Sequence, residues 1–183
     1  MKKYLITSPE FYTDTPSLFA QKLEVQIQKH RPDFVLLRDK ETANYKALAI
    51  VFAEIMQKYP QSKAFVHDAL DVACELGITG VHFSGKNFHS IQEAKAKNRE
   101  VIISTHTQEE VKKAEVFGAD YVTYSPIFST PNKGEPKGVE DLEALLKMNS
   151  IKVFALGGIV HEKEVTQIAQ TKVYGFASIR YFL

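Results

Sequence analysis

The chain has 183 residues, 44% hydrophobic and 25% charged, with 23 Lys+Arg against 22 Asp+Glu and a formal net charge of +1. That is the composition expected of one soluble globular domain, residues 1–183, and its near-neutrality excludes a general attraction to nucleic acid or anionic membrane. Apolar runs of about five residues fall far short of the ~20 needed to cross a bilayer, and the single cysteine, Cys74, excludes an intrachain disulfide and a cysteine-rich metal cluster.

The basic start, Met1-Lys2-Lys3, precedes too few apolar residues for a signal peptide, so a reduced, cytoplasmic setting is expected. Residues 3–7 read as the first strand, and 17–30 as a helix opened by Thr15-Pro16. A strand at 33–37 leads to a helix over 42–59, where Tyr45, Leu48, Ala49, Phe52 and Ile55 recur at three- and four-residue spacing before Pro60 ends it. The rhythm repeats with strands at 63–66, 80–83, 100–104, 120–124, 152–156 and 173–177. Helices alternate with them at 69–76, 90–97, 108–117, 139–147 and 162–170. Gly77 and Gly118 close two of these helices, where the chain takes a positive φ that costs glycine little. Cys74, in an apolar-patterned stretch, reads as a buried, inert thiol.

Eight strands alternating with seven helices imply parallel pairing through right-handed crossovers, and such units close into an α/β (β/α)8 TIM barrel. An open doubly wound sheet is the alternative. The barrel is compact, because such folds typically need about 200 residues, and the chain ends six residues after Ala177, without room for a full eighth helix. The side left open is expected to be covered by a partner subunit or by the N-terminal segment. The stretch FSTPNKGEPKG at 128–138 falls between the sixth strand and sixth helix, a loop on the face where barrel active sites are built.

The strand ends on that face are polar. Arg38-Asp39-Lys40 follows the second strand, and His67-Asp68 the third. His82 lies in the fourth, which is followed by Ser84-Gly85-Lys86-Asn87. Ser104-Thr105-His106 ends the fifth, Thr130, Asn132 and Lys133 follow the sixth, Gly157-Gly158 the seventh, and Ser178, with Arg180 nearby, the eighth. Arg38, Lys40 and Lys133 against Asp68 would form a local positive cup suited to a phosphate or pyrophosphate. The Gly157-Gly158 pair is either a tight turn or a place where backbone N–H groups approach a phosphate. Each residue also has a plainer reading: Asp68 as a helix N-cap, Thr107 as the opening of a capping box with Glu110, and His82 as a satisfied histidine inside the barrel.

Taken together, LLRDK at 36–40, HDALDVACELGITGVHF at 67–83, STHTQEEVKKAEVFGADYVTYSPIFSTPNK at 104–133 and FALGGI at 154–159 resemble the thiamine phosphate synthase family and its thiazole tautomerase relatives. The resemblance runs in order over residues 3–180 and is most specific from Ser104 to Lys133. It implies a (β/α)8 barrel, often a homodimer, that acts on small phosphorylated substrates. The implied transferase joins a pyrimidine, carried as its methyl pyrophosphate, to a thiazole phosphate and releases pyrophosphate. By that resemblance Arg38, Lys40 and Lys133 hold the pyrophosphate, assisted by Mg2+, and Ser104 touches the pyrimidine substrate. Thr130, Asn132 and Gly158 hold the thiazole phosphate, with Ser178 or a neighbour as the eighth-strand contact. Asp68 is the implied magnesium ligand, and Asn87 falls where the family has a second carboxylate. His67 stands where the family has Asn, and Leu36 where it usually has Gln. A neutral amide is a poorer Mg2+ ligand than a carboxylate, so the metal site is expected to be weakened. A thiazole tautomerase would need the phosphate cradle and a proton shuttle but no metal. The tautomerase histidine at the sixth strand's end falls at Pro126, leaving His67, His82, His89 and His106 as substitutes by position. A non-catalytic phosphate-binding member of the same superfamily is the third reading.

Overall fold

The structure is a computed structural model that describes residues 1–39 and 42–183. Eight strands, β1 (Lys2–Ile6), β2 (Phe34–Leu37), β3 (Lys63–His67), β4 (Gly80–Phe83), β5 (Glu100–Thr105), β6 (Tyr121–Tyr124), β7 (Lys152–Leu156) and β8 (Gly175–Ser178), pair in parallel as a closed barrel, β8 returning to β1. The crossovers carry α2 (Pro16–His30), α3 (Tyr45–Gln57), α4 (Leu70–Glu75), α5 (Ser90–Ala96), α6 (Gln108–Phe117), α7 (Gly138–Met148) and α8 (Glu162–Ala169). A further short helix, α1 (Pro9–Tyr12), precedes α2 and has no counterpart among the elements read from the sequence. The doubly wound alternative is thereby excluded.

No helix follows β8. A 3-10 turn at Arg180–Phe182 takes its place, and Phe182, fully buried, stacks on Phe176 of β8 and meets His30 of α2 edge-on. Burying that ring contributes about 2 kcal/mol. The side expected to need a partner or the N-terminal segment is therefore covered by the chain's own last residues and the end of α2.

Two apolar layers result from the period-2 alternation of side chains along each strand. Outward residues such as Leu5, Val35, Val66, Val81 and Val153 pack beneath the helices. Inward residues fill the barrel with rings: Phe34 lies 4.9 Å from Phe154 and 5.2 Å from Tyr121, and Tyr4 lies 5.1 Å from Phe154. At the N-terminal end, Lys63 closes this layer with a bidentate contact to Glu100 at 2.6 and 2.8 Å and a bond to the Tyr121 hydroxyl. Above the rings, the inward positions turn polar, and that change places the site. Cys74, on α4, is half-buried rather than buried, because its helix is a single outer layer only six residues long. Among the described residues, no helix is long and apolar enough to cross a membrane.

Candidate active site

The upper layer is set by register. His67 pairs with His82 across β3 and β4, and Ser104 with Thr123 across β5 and β6, so alternate residues above the rings converge on the barrel axis. They open into a cavity of about 300 Å3 lined by Arg38, His67, His82, Ser104, His106 and Lys133, together with Thr130 and Gly157, and with neither Asp nor Glu among its described lining residues. Two cationic side chains and three imidazoles on one wall are a donor set that suits an anion. Arg38 is aimed by its own backbone, whose N–H donates to the buried Thr7 hydroxyl at 3.0 Å. Lys40, expected beside it, lies outside the described residues.

A second cavity of about 400 Å3 adjoins the first and shares Thr130, Leu156, Gly157 and Ile179 with it; Gly158, Ser178, Arg180 and Glu10 also line it. Gly157 and Gly158 sit at φ 101° and 68°. A Cβ on Gly157 would come within 2.8 Å of Pro126 Cα, and one on Gly158 within 2.6 Å of Phe128 Cβ and the Ser129 carbonyl. The pair thus brings the loop after β6 down against the end of β7, where the Ile127 and Phe128 N–H groups donate to the Leu156 and Gly157 carbonyls. Thr130 Oγ1 donates back to the Phe128 carbonyl at 2.9 Å. Asn132, at φ 59°, is exposed at the loop tip and lines neither cavity. Ser178 donates to the Ile159 carbonyl at 2.6 Å and accepts from Tyr181 N–H at 3.2 Å. Its hydroxyl proton therefore ties two loops together, and Arg180 is the one cationic residue among the described residues lining this second cavity.

Asp68 and Asn87 line a separate depression beside α4 and α5, which Asp68 joins to the first cavity through His67 and Ser84. Ala69, not Asp68, caps α4; Asp68 takes φ 49° and turns its carboxylate away from the helix. Its Oδ1 accepts from Ser84 N–H and from Asn87 Nδ2, both at 2.8 Å, and its Oδ2 lies 3.3 Å from His67 Nδ1. Burial would raise this carboxyl, but the Ser84 and Asn87 hydrogen bonds and His67 outweigh it and hold it below its ordinary value. Asn87 also donates to Ser84 Oγ at 3.2 Å. As arranged, the pair does not fit a resident Mg2+: Oδ1 of the one carboxylate is already met by two donors, and Asn87 presents its Nδ2 donor, not its oxygen, to it. Among the described residues, no three His, Cys, Asp or Glu side chains cluster as a metal site.

The histidines divide by role. His82 is buried, with Tyr4 Oη 2.9 Å from its Nδ1 and Ser104 Oγ 3.0 Å from its Nε2. His106, at the rim, has its Nδ1 3.0 Å from the Ser125 carbonyl and 3.3 Å from Ser125 Oγ; with Nδ1 donating to the carbonyl, Nε2 is the acceptor nitrogen of the ring. Thr107 caps α6 as expected, accepting from Glu110 N–H, while the Glu110 side chain reaches His106 N–H. Tyr4 escaped sequence reasoning; the signal was its place two residues before Ile6 on a strand that alternates inward.

The family model described as thiamine monophosphate synthase (TMP-TENI) matches residues 3–182. The chain is 32% identical to the thiamine-phosphate synthase of Halalkalibacterium halodurans over 85% of this chain and 75% of that one. It is 29% identical to that of Lactococcus lactis subsp. lactis over 98% and 87%. Its backbone superimposes on a thiamine phosphate pyrophosphorylase from Pyrococcus furiosus with a TM-score of 0.82 at 24% identity, covering 97% of this chain and 85% of that structure, a likeness of fold.

Proposed function

This chain belongs to the thiamine monophosphate synthase family, and on that premise we propose that it couples a pyrimidine-methyl pyrophosphate to a thiazole phosphate. The observation that carries the reading is the pair of adjoining cavities, one cationic and with no carboxylate among its described lining residues, the other walled by the Gly157-Gly158 turn and Arg180. Two compartments meeting at Thr130 and Gly157 suit two phosphorylated partners held edge to edge. In the proposed reaction the bond between the pyrimidine methylene and the pyrophosphate oxygen breaks, and both electrons leave with pyrophosphate. The thiazole nitrogen then donates its lone pair to the methylene, giving a thiazolium product with no proton to remove. What the chain supplies is charge held in place before the bond breaks, from Arg38 and Lys133, and positioning that makes the second step effectively intramolecular. His67 and Ser104 add donors, and Thr130, the glycine turn and Arg180 hold the thiazole phosphate. No step is routed through Asp68 and Asn87. The proposed setting is the cytoplasm, and the proposed assembly a homodimer.

One observation favours a second reading. His106, with Nδ1–H committed to Ser125, offers Nε2 as a base at the cavity mouth, the group a thiazole tautomerase would need. Incubating the chain with both substrates, with and without Mg2+, separates the two. Thiamine phosphate and equimolar pyrophosphate support the transferase. Their absence in both conditions overturns it, and proton exchange on the thiazole phosphate alone then assigns the tautomerase.

A further inference from the structure

The contact between Ser104 Oγ and His82 Nε2, with a third group on Nδ1, has the outline of a nucleophile, its base and an orienting partner. The proton inventory reverses that role. Tyr4 is fully buried, and burial pushes its hydroxyl well above its ordinary value, so it remains a phenol. Its O–H proton needs an acceptor, and His82 Nδ1 lies 2.9 Å away. If Nδ1 instead donated to Tyr4, a hydroxyl proton would be left buried without a partner, which folded chains avoid. With Tyr4 donating, the lone pair of Nδ1 is occupied, and the neutral ring carries its hydrogen on Nε2. That hydrogen points at Ser104 Oγ, 3.0 Å away. Ser104 accepts it, and its own proton turns into the cavity it lines.

We infer that Tyr4 and His82 act as a relay that fixes Ser104 as a hydrogen-bond donor to the bound anion and withholds from it the base that would make it a nucleophile. Tyr4 and His82 are positioning residues; Ser104 is the group that touches the ligand. The inference deepens the proposed function by assigning the polarity of one wall of the pyrophosphate compartment: a ligand with an acceptor oxygen is favoured there, and one that must itself donate is disfavoured. It also separates this chain from Ser–His acyl-transfer chemistry, where the imidazole nitrogen facing the serine must be unprotonated.

Long-range 1H–15N NMR of the intact chain, with the His82 signals assigned by their loss in His82→Gln, reads the two ring nitrogens directly. The expected result is an unprotonated Nδ1 and a protonated Nε2; a protonated Nδ1 paired with a bare Nε2 overturns the relay. Calorimetric titration with inorganic pyrophosphate in chelating buffer reads the consequence. Tyr4→Phe is expected to weaken binding about tenfold, as is Ser104→Ala. The double variant is expected to be no weaker than Ser104→Ala alone, because the tyrosine acts through the serine. Additive losses overturn the inference. If Tyr4→Phe does not fold, the NMR of the unmodified chain decides the question. Neither measurement needs turnover, so failure of the relay and failure of the proposed reaction are distinguished.

Discussion

The two halves of the rim use their polar groups in opposite ways. Around β3 and β4, the groups satisfy one another: Asp68 accepts from Ser84 and Asn87 and faces His67. Around β6 to β8, the local bonds shape backbone instead, as Ser178, Thr130 and the glycine pair fold two loops together and leave a cavity between them. The first half is closed on itself and holds charge in balance. The second half is open and meets the cationic wall of Arg38 and Lys133. The difference teaches that a residue type at the expected place does not fix its role; the partner it already has does.

The largest expected effect breaks the open half. Lys133→Ala is expected to lower the rate of pyrophosphate release about 10²–10³-fold, the scale of losing one preorganised charge donor. The melting temperature should hold, because the side chain is exposed on its loop; rate and melting curve on one preparation check both. Next, Gly158→Ala forces a Cβ at φ 68° to within 2.6 Å of Phe128 and Ser129. Urea unfolding is expected to show a loss of about 3 kcal/mol, with the loop displaced and turnover reduced in proportion.

The closed half is sharpened by a gain rather than a loss. Asn87→Asp sets a second carboxylate against Asp68 where an amide now donates at 2.8 Å. Added Mg2+ is expected to raise the melting temperature of that variant by a few degrees, as ligand linkage requires, and to leave the parent unmoved. An equal rise in both would place a metal in the parent's closed half after all. The smallest effect concerns acid. The Asp68 carboxyl is held below its usual 3.8, so its contribution is complete above about pH 4 and fades as pH falls through the lowered value. Asp68→Ala is expected to cost about 1 kcal/mol at pH 7, and the gap between the urea curves of parent and variant should narrow as pH falls below about 4.

Much of this was legible in the sequence. The alternation of β-rich runs with amphipathic stretches is a period change that only a parallel α/β fold accommodates, and Gly77 and Gly118 marked helix ends at the positive φ found there. The polar strand ends fall together because every parallel strand of a barrel ends on the same rim. What stayed hidden depends on where a proton or a short loop goes. Nothing in HDAL says that Asp68 leaves its helix for Ser84, since capping and cross-loop bonding begin from the same residue. Ser178 lines the second cavity, but nothing in GFASI says that its hydroxyl faces the Ile159 carbonyl. The role of Tyr4 depends on a histidine 78 positions away, beyond the reach of any local pattern. The covering of β8 by Phe182 needed three-dimensional packing for the same reason.

The most direct test of the account is calorimetry with inorganic pyrophosphate in chelating buffer on the parent, Arg38→Ala and Asp68→Ala. The account predicts saturable binding to the parent, its loss in Arg38→Ala and its retention in Asp68→Ala. Binding that survives Arg38→Ala but vanishes with Asp68→Ala would move the anion site to the closed half and contradict it.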